Sequence, residues 1–126
     1  RLVVLDPADF SVAVQQALKE ITRPMALRQN PLLRSRLVVD QVGLQADENE
    51  RIVALRNILR AAADSLQNSP RDVKLYRVLH HTYLQPAPTQ EVAAELLDLP
   101  FSTYRRHLKS SVERLTELLW NQELSI

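Results

Sequence analysis

Apolar residues in the first part of the chain recur every three or four positions, which is the spacing of a helix with one buried face. Residues 1–6 are expected to be a short extended segment or the tail of an upstream domain. Asp6 followed by Pro7 is typical of a helix start, because aspartate caps free amides and proline fits the first turn. Pro24 should end this helix. Its predicted inward face is Phe10, Val14, Ala17, Leu18 and Ile21.

Two further helices are predicted before residue 68. Asn30-Pro31 supplies a cap and a first-turn proline for one of them. Its inward residues would be Leu33, Leu37 and Val38. Gly43, the single glycine, is expected just past its end in the left-handed conformation. Asp47 and Glu50 have the spacing of a capping box, which begins the other helix. That helix should bury Ile52, Leu55, Ile58, Leu59, Ala62 and Leu66.

Caps and prolines also divide the second half of the chain. Ser69-Pro70 is expected to begin a helix, and the polar residues just before it mark the best internal boundary. The inward face of this helix would be Val73, Tyr76, Leu79 and Tyr83. Residues 86–88, Pro-Ala-Pro, interrupt the helical pattern. Thr89 should then cap a short helix over residues 90–97.

A turn at residues 98–100 precedes a last helix, predicted from Phe101 to about residue 123. Its inward face would be Tyr104, Leu108, Ser111, Val112, Leu115 and Leu119. Positive charge is concentrated at its start, where residues 101–114 hold one acid, Glu113, and four cations: Arg105, Arg106, Lys109 and Arg114. A short helix, a turn and a longer helix with a basic start form the outline of a helix-turn-helix.

The composition favours helices throughout. The chain has 126 residues with one glycine, seven prolines and no cysteine, so helices joined by proline-marked turns are expected instead of a sheet. We therefore predict an all-α fold. A helical N-terminal unit, residues 1–69, would pack on a C-terminal tri-helical helix-turn-helix, residues 70–126, with no wing.

Residues 91–107 resemble the helix-turn-helix of bacterial sigma-factor region 4 and of response-regulator output domains. The matching residues are Glu91, Val92, Ala93, Ala94, Leu97, Asp98, Leu99, Thr103, Tyr104 and His107. The resemblance extends over residues 73–120 if the flanking helices are included. It implies that Ala94, or Ala93 in a register with a longer turn, lets the two helices approach closely. Where the families have a turn glycine this chain has Asp98, a residue type that tolerates the left-handed conformation better than most.

Under this resemblance the chain is a bacterial regulator of transcription that binds double-stranded DNA. The expected DNA-binding residues are Ser102, Thr103, Arg105, Arg106, His107 and Lys109. Arg106 is the candidate for a bidentate contact to guanine, and Lys109 and Arg105 for contacts to phosphate. His107 matches a family position that often contacts the phosphate backbone; the other interpretation is that its ring only satisfies a local hydrogen bond.

The alternative is a protein-interaction or dimerisation module that uses the same fold without DNA. Trp120 and the N-terminal helices motivate it. The helical wheel places Trp120 away from the apolar stripe, and exposed tryptophans mark interfaces. The competing interpretation is that the last turn kinks or that the N-terminal helices cover Trp120. A homodimer with two recognition helices would combine both functions.

Other function classes find little support. No glycine-rich phosphate loop or catalytic grouping is visible, so any catalytic domain would lie outside this segment, and no cofactor is expected. No metal site is expected either, because His80 and His81 point about 100° apart on a helix and His107 has no partner four residues away. No apolar run approaches the roughly 20 residues of a membrane span, and a cytoplasmic protein is expected. The chain begins with Arg1, which suggests an upstream region of the same polypeptide.

Overall fold

A computed structural model describes residues 4–126, and every regular element in that range is a helix, as the all-α prediction required. The α-helices are α1 (Pro7–Glu20), α2 (Arg36–Val42), α3 (Glu48–Ser65), α4 (Val73–Leu79), α5 (Gln90–Leu96) and α6 (Phe101–Ser125). Three 3₁₀ helices, Pro24–Gln29, Pro31–Arg34 and Leu66–Asn68, and a π turn, His80–Leu84, connect them. The extended segment predicted for residues 1–6 begins in residues 1–3, which lie outside the described residues.

Predicted caps begin three of the α-helices. The carboxylate of Asp6 accepts a hydrogen bond of 2.8 Å from the amide three residues on, at the start of α1. Asp47 and Glu50 bond each other's backbone amides at 2.8 and 3.3 Å, which is a complete capping box for α3. Thr89 caps α5 through its hydroxyl. Each cap satisfies amides that the first turn of a helix leaves without a partner.

The single helix predicted after Asn30 is wrong, because a break at Ser35 divides it. Pro31–Arg34 is a 3₁₀ helix, and Ser35 has extended backbone with ψ 164°. The first two amides of α2, those of Arg36 and Leu37, donate instead to the carboxylate of Glu123 in α6, at 3.2 and 3.0 Å. The predicted inward side chains are nevertheless buried: Leu33, Leu37 and Val38.

Helix α4 begins three residues later than predicted. Residues 69–72 form a turn, closed by a hydrogen bond of 2.9 Å from the amide of Asp72 to the carbonyl of Ser69. The predicted inward face is therefore wrong at Val73, which is exposed. Tyr76 and Tyr83 are half-buried and pack against the larger core, as predicted. The π turn then places Leu84 on the buried side, five residues after Leu79. The buried residues of this region are Leu75, Val78, Leu79 and Leu84.

Two hydrophobic cores organise the described residues, and α6 contributes to both. The larger core joins α1, α2 and α3 to residues of the second half of the chain: Leu75, Leu79, Leu84, Leu115 and Leu119. The smaller core consists of Val78, Ala93, Ala94, Leu97, Tyr104 and Leu108. The division at residue 69 stays a prediction, but the larger core uses side chains from both of its sides. In residues 4–126 no helix has both the length and the apolar character that crossing a membrane requires.

Candidate nucleic-acid interface

The turn between α5 and α6 is closed by a left-handed residue. Asp98 has φ 56°, the left-handed conformation that was predicted for this position. Its amide donates to the carbonyl of Glu95, and the amide of Leu99 donates to the carbonyl of Ala94, both at 3.0 Å. These two bonds form a Schellman motif, which satisfies the last carbonyls of α5 and reverses the chain at once. The direction in which α6 leaves the turn is thus set by the backbone of Asp98.

Beneath this turn, small and large apolar side chains hold α5 against α6. Ala93 and Ala94 are both buried, so both candidates for the small contact residue lie in the smaller core. Leu97 is also buried, and Leu99 is half-buried and packs against the smaller core. Tyr104 is fully buried, and its hydroxyl lies 2.6 Å from the Thr82 hydroxyl in the π turn. This hydrogen bond ties the first turn of α6 to the helix that precedes α5.

Three of the four cations predicted at the start of α6 form an open face, and the fourth, Arg114, pairs with Asp72 and Glu117. Arg105, Arg106 and Lys109 are all exposed, and Ser102 beside them is exposed as well. At 100° per residue, Arg106 lies about 180° around α6 from the midpoint between the buried Tyr104 and Leu108. The N-terminal helices therefore leave the outward side of the first turns of α6 accessible to a ligand.

Two hydrogen bonds orient the arginines of this face. Arg105 donates to the side-chain oxygen of Gln90, the first residue of α5. Arg106 donates to the hydroxyl of Thr103, one turn back, at 3.3 Å. Thr103 is half-buried, so its side chain is not part of the open face itself. It contacts that face through its hydrogen bond with Arg106. The guanidinium groups are held near the turn, while Lys109 extends the positive charge by one helical turn.

His107 is half-buried on the flank of α6 that faces α4. Within the described part of the chain its Nδ1 atom is buried without a hydrogen-bond partner. Burial lowers the pKa of the His107 imidazole, and the charges of Lys74 and Arg106 lower it further. The ring is consequently neutral at pH 7. It can offer a ligand a hydrogen bond but not a positive charge.

The first turn of α6 carries free amides. Pro100 precedes the helix, and within residues 4–126 no side chain caps it. The first helical bond runs from the amide of Tyr104 to the carbonyl of Pro100, at 2.9 Å. The amides of residues 101–103 thus lack partners within the helix and point outward from its positive end. Such a helix start favours an anionic group.

Two further residues lie beside the predicted site, although nothing in the sequence around them indicates that they do. Gln90 bonds Arg105 from the start of α5, fifteen residues away. Lys19 in α1 borders the flank of α6 that holds Arg105 and Lys109. A helix packed from the other end of the chain places Lys19 there, and the pattern of residues around Lys19 gives no sign of that contact.

Trp120 lies under the N-terminal helices. Its ring meets that of Phe10 edge to face, with centroids 5.1 Å apart, and it packs against the larger core. This agrees with the interpretation that the N-terminal helices cover it. His80 and His81 are also neighbours, but in the described residues no group of three His, Asp or Glu side chains is arranged to hold a metal ion.

Comparison with family models, curated proteins and solved structures finds no match to this chain.

Proposed function

We propose that this chain binds double-stranded DNA as a helix-turn-helix domain, with α6 in the major groove and α5 across the phosphate backbone. The observation that supports this best is the open cationic face of Arg105, Arg106 and Lys109 directly after the tight turn at Asp98. In a helix-turn-helix the second helix presents the residues of its first turns to the base edges. The three cations occupy those turns.

The dimensions of α6 suit this partner. A helix with its side chains is about 10–12 Å wide, and the major groove of B-DNA is about 12 Å wide. Arg106 lies at the centre of the exposed face, so it reaches deepest and forms two hydrogen bonds to the major-groove edge of a guanine. A contact of this kind discriminates against the wrong base by about 1–3 kcal/mol.

The remaining residues of the face bind the backbone. Arg105 and Lys109 lie to one side of Arg106 and neutralise phosphates, which positions α6 without selecting a sequence. Ser102, Thr103 and the free amides at the start of α6 donate to a further phosphate. The Nδ1 atom of His107 is buried, so the neutral ring adds its hydrogen bond through Nε2.

Fluorescence anisotropy with labelled duplexes of mixed sequence tests this function. Binding at low salt should weaken as salt rises, with a log–log slope of about −1.8 for the two phosphates that Arg105 and Lys109 neutralise. Arg106→Ala should weaken binding and reduce the preference between duplexes. Lys109→Ala should weaken binding to all duplexes by a similar factor and make the slope shallower by about 0.9.

Arg34→Ala is a matched control. Arg34 is exposed and lies two residues before Arg36, whose amide bonds Glu123 near the far end of α6. From Arg106 to Glu123 the helix rises by about 25 Å, so Arg34 is remote from the proposed contact. Absence of duplex binding by the unsubstituted chain at low salt would refute the function. Unchanged binding by Arg106→Ala and Lys109→Ala would refute the assigned surface.

The alternative, a protein-interaction or dimerisation module, loses one of its arguments. Trp120 packs on Phe10 within the chain, so this side chain no longer points to an external partner. Sedimentation of the free chain with and without duplex separates the two functions. A monomer that binds DNA would argue against the interaction module.

A further inference from the structure

A groove runs between α1 and one flank of α6. Its volume is about 490 Å³. Gln15 and Lys19, both exposed, line it from α1, and Leu108 and Val112 form part of its apolar floor. Four cations line the groove against one acid, Glu113: they are Lys19, Arg105, Arg106 and Lys109. The groove therefore carries a local positive charge in a chain whose net charge is only +1.

The groove follows the cationic face of α6 along its side. At 100° per residue, Arg105 and Lys109 lie on the flank of α6 towards α1. The opposite flank faces the start of α4, as the salt bridge of 3.5 Å between Arg114 and Asp72, the residue just before α4, shows. Lys19 thus adds a cation from outside α6, on the same side as Arg105 and Lys109. Glu113, one turn beyond Lys109, limits the positive part of the groove to the first turns of α6.

A helix that lies in the major groove has a phosphate backbone along each flank. The helix nearly fills the width of the DNA groove, so the two backbones lie immediately beside it. The flank of α6 towards α1 would meet one of them. Any side chain of α1 that reaches this flank would then lie next to phosphates.

We propose that one phosphodiester backbone of the duplex lies in the groove between α1 and α6, where Lys19 and Gln15 contact it together with Arg105. This inference rests on the proposed function and adds the N-terminal helix to the DNA interface. Lys19 neutralises one phosphate, and the Gln15 amide donates a hydrogen bond to the same strand. Neither residue reads bases, since phosphate contacts position a protein without specifying sequence.

Loss of the Lys19 charge is the first test. Lys19→Gln should weaken binding of the full chain to every duplex by a similar factor, roughly three- to tenfold near 0.1 M salt, and make the salt slope shallower by about 0.9. Lys19→Arg keeps the charge and should bind like the unsubstituted chain. Circular dichroism of each variant checks that the fold is unchanged.

A gain of charge is the second test. Gln15→Lys should tighten binding to all duplexes and make the salt slope steeper by about 0.9. Gln16→Lys is the matched control, because Gln16 is exposed on the same helix but lines a different groove, beside the segment Pro24–Gln29. It raises the net charge equally, so any difference between the two variants reports contact in the groove near α6.

The outcomes separate this inference from the function on which it rests. If Lys19→Gln binds like the unsubstituted chain while Arg106→Ala does not, α1 is no part of the interface and DNA binding stands. Equal effects of Gln15→Lys and Gln16→Lys would also overturn the inference. If the unsubstituted chain binds no duplex, the proposed function and the inference both fail.

Discussion

Replacing Asp98 with glycine should stabilise this chain. Asp98 is exposed and has φ 56°, a conformation that costs a residue with a Cβ atom roughly 1–2 kcal/mol, with aspartate at the low end. Glycine adopts this conformation without that cost. The two backbone hydrogen bonds of the turn do not involve the side chain, so Asp98→Gly keeps both.

The expected gain is modest, because glycine also increases the freedom of the unfolded chain. That effect offsets about 0.4–1 kcal/mol of the conformational cost that glycine removes from the folded chain. A net stabilisation of up to about 0.6 kcal/mol remains, which for 126 residues raises Tm by up to roughly 3 °C. Asp98→Ala keeps the left-handed requirement and loses the tolerance of aspartate, so it should lower stability by about 0.5–1 kcal/mol.

Urea and thermal unfolding followed by circular dichroism would measure this series. Asp64, exposed in α3, is the matched control position, because its backbone is right-handed helix. There the order should invert, with alanine about 1 kcal/mol more stable than glycine. If Asp98→Ala proves as stable as Asp98→Gly, the backbone of Asp98 does not strain the turn and the reasoning fails.

Substitutions at three further positions test other parts of the structure. Gly43→Ala should cost about 1–3 kcal/mol of stability in urea unfolding, because φ 86° and ψ 164° are accessible essentially to glycine alone. The cost comes from the backbone, since no described atom lies within 4 Å of an added Cβ. An unchanged stability would contradict this. Glu123→Ala should cost about 1–3 kcal/mol by leaving two amides of α2 without their acceptor, and Glu123→Gln should cost less. Burial lowers the pKa of His107 when the chain folds, so below about pH 6.5 the unfolded chain binds a proton at this residue more readily than the folded chain does. The free energy of unfolding therefore decreases as the pH is lowered. His107→Gln should therefore lose less stability on acidification from pH 7 than the unsubstituted chain does, and equal losses would rule out this linkage.

Features determined by neighbouring residues could be read from the sequence. The caps at Asp6, Asp47 and Thr89 involve amides three residues away, so the local pattern contains both partners. The left-handed conformation at Asp98 is also a local feature, because few residue types adopt it readily. The exposure of Arg106 followed from the helical period of α6, since its buried face was identified correctly.

Features that depend on distant contacts could not be read in this way. Helix α2 begins where Glu123 binds its amides, and that carboxylate lies 87 residues from Arg36. The π turn shifts the buried side of the chain between Leu79 and Leu84, which a regular helical period does not anticipate. Lys19 reaches the flank of α6 only because α1 packs there, so no pattern near Lys19 points to the candidate interface.

The packing of α6 makes the N-terminal unit part of the geometry of the proposed site. The first turns of α6 rest on the smaller core through Tyr104, while Leu115 and Leu119 anchor its second half in the larger core. A continuous helix of 25 residues joins the two cores. Because α1 packs on the second half, the position of Lys19 beside the cationic face is set by the larger core. A substitution in that core that tilts α6 would move Arg106 relative to Lys19, and would therefore disturb the candidate interface without touching it.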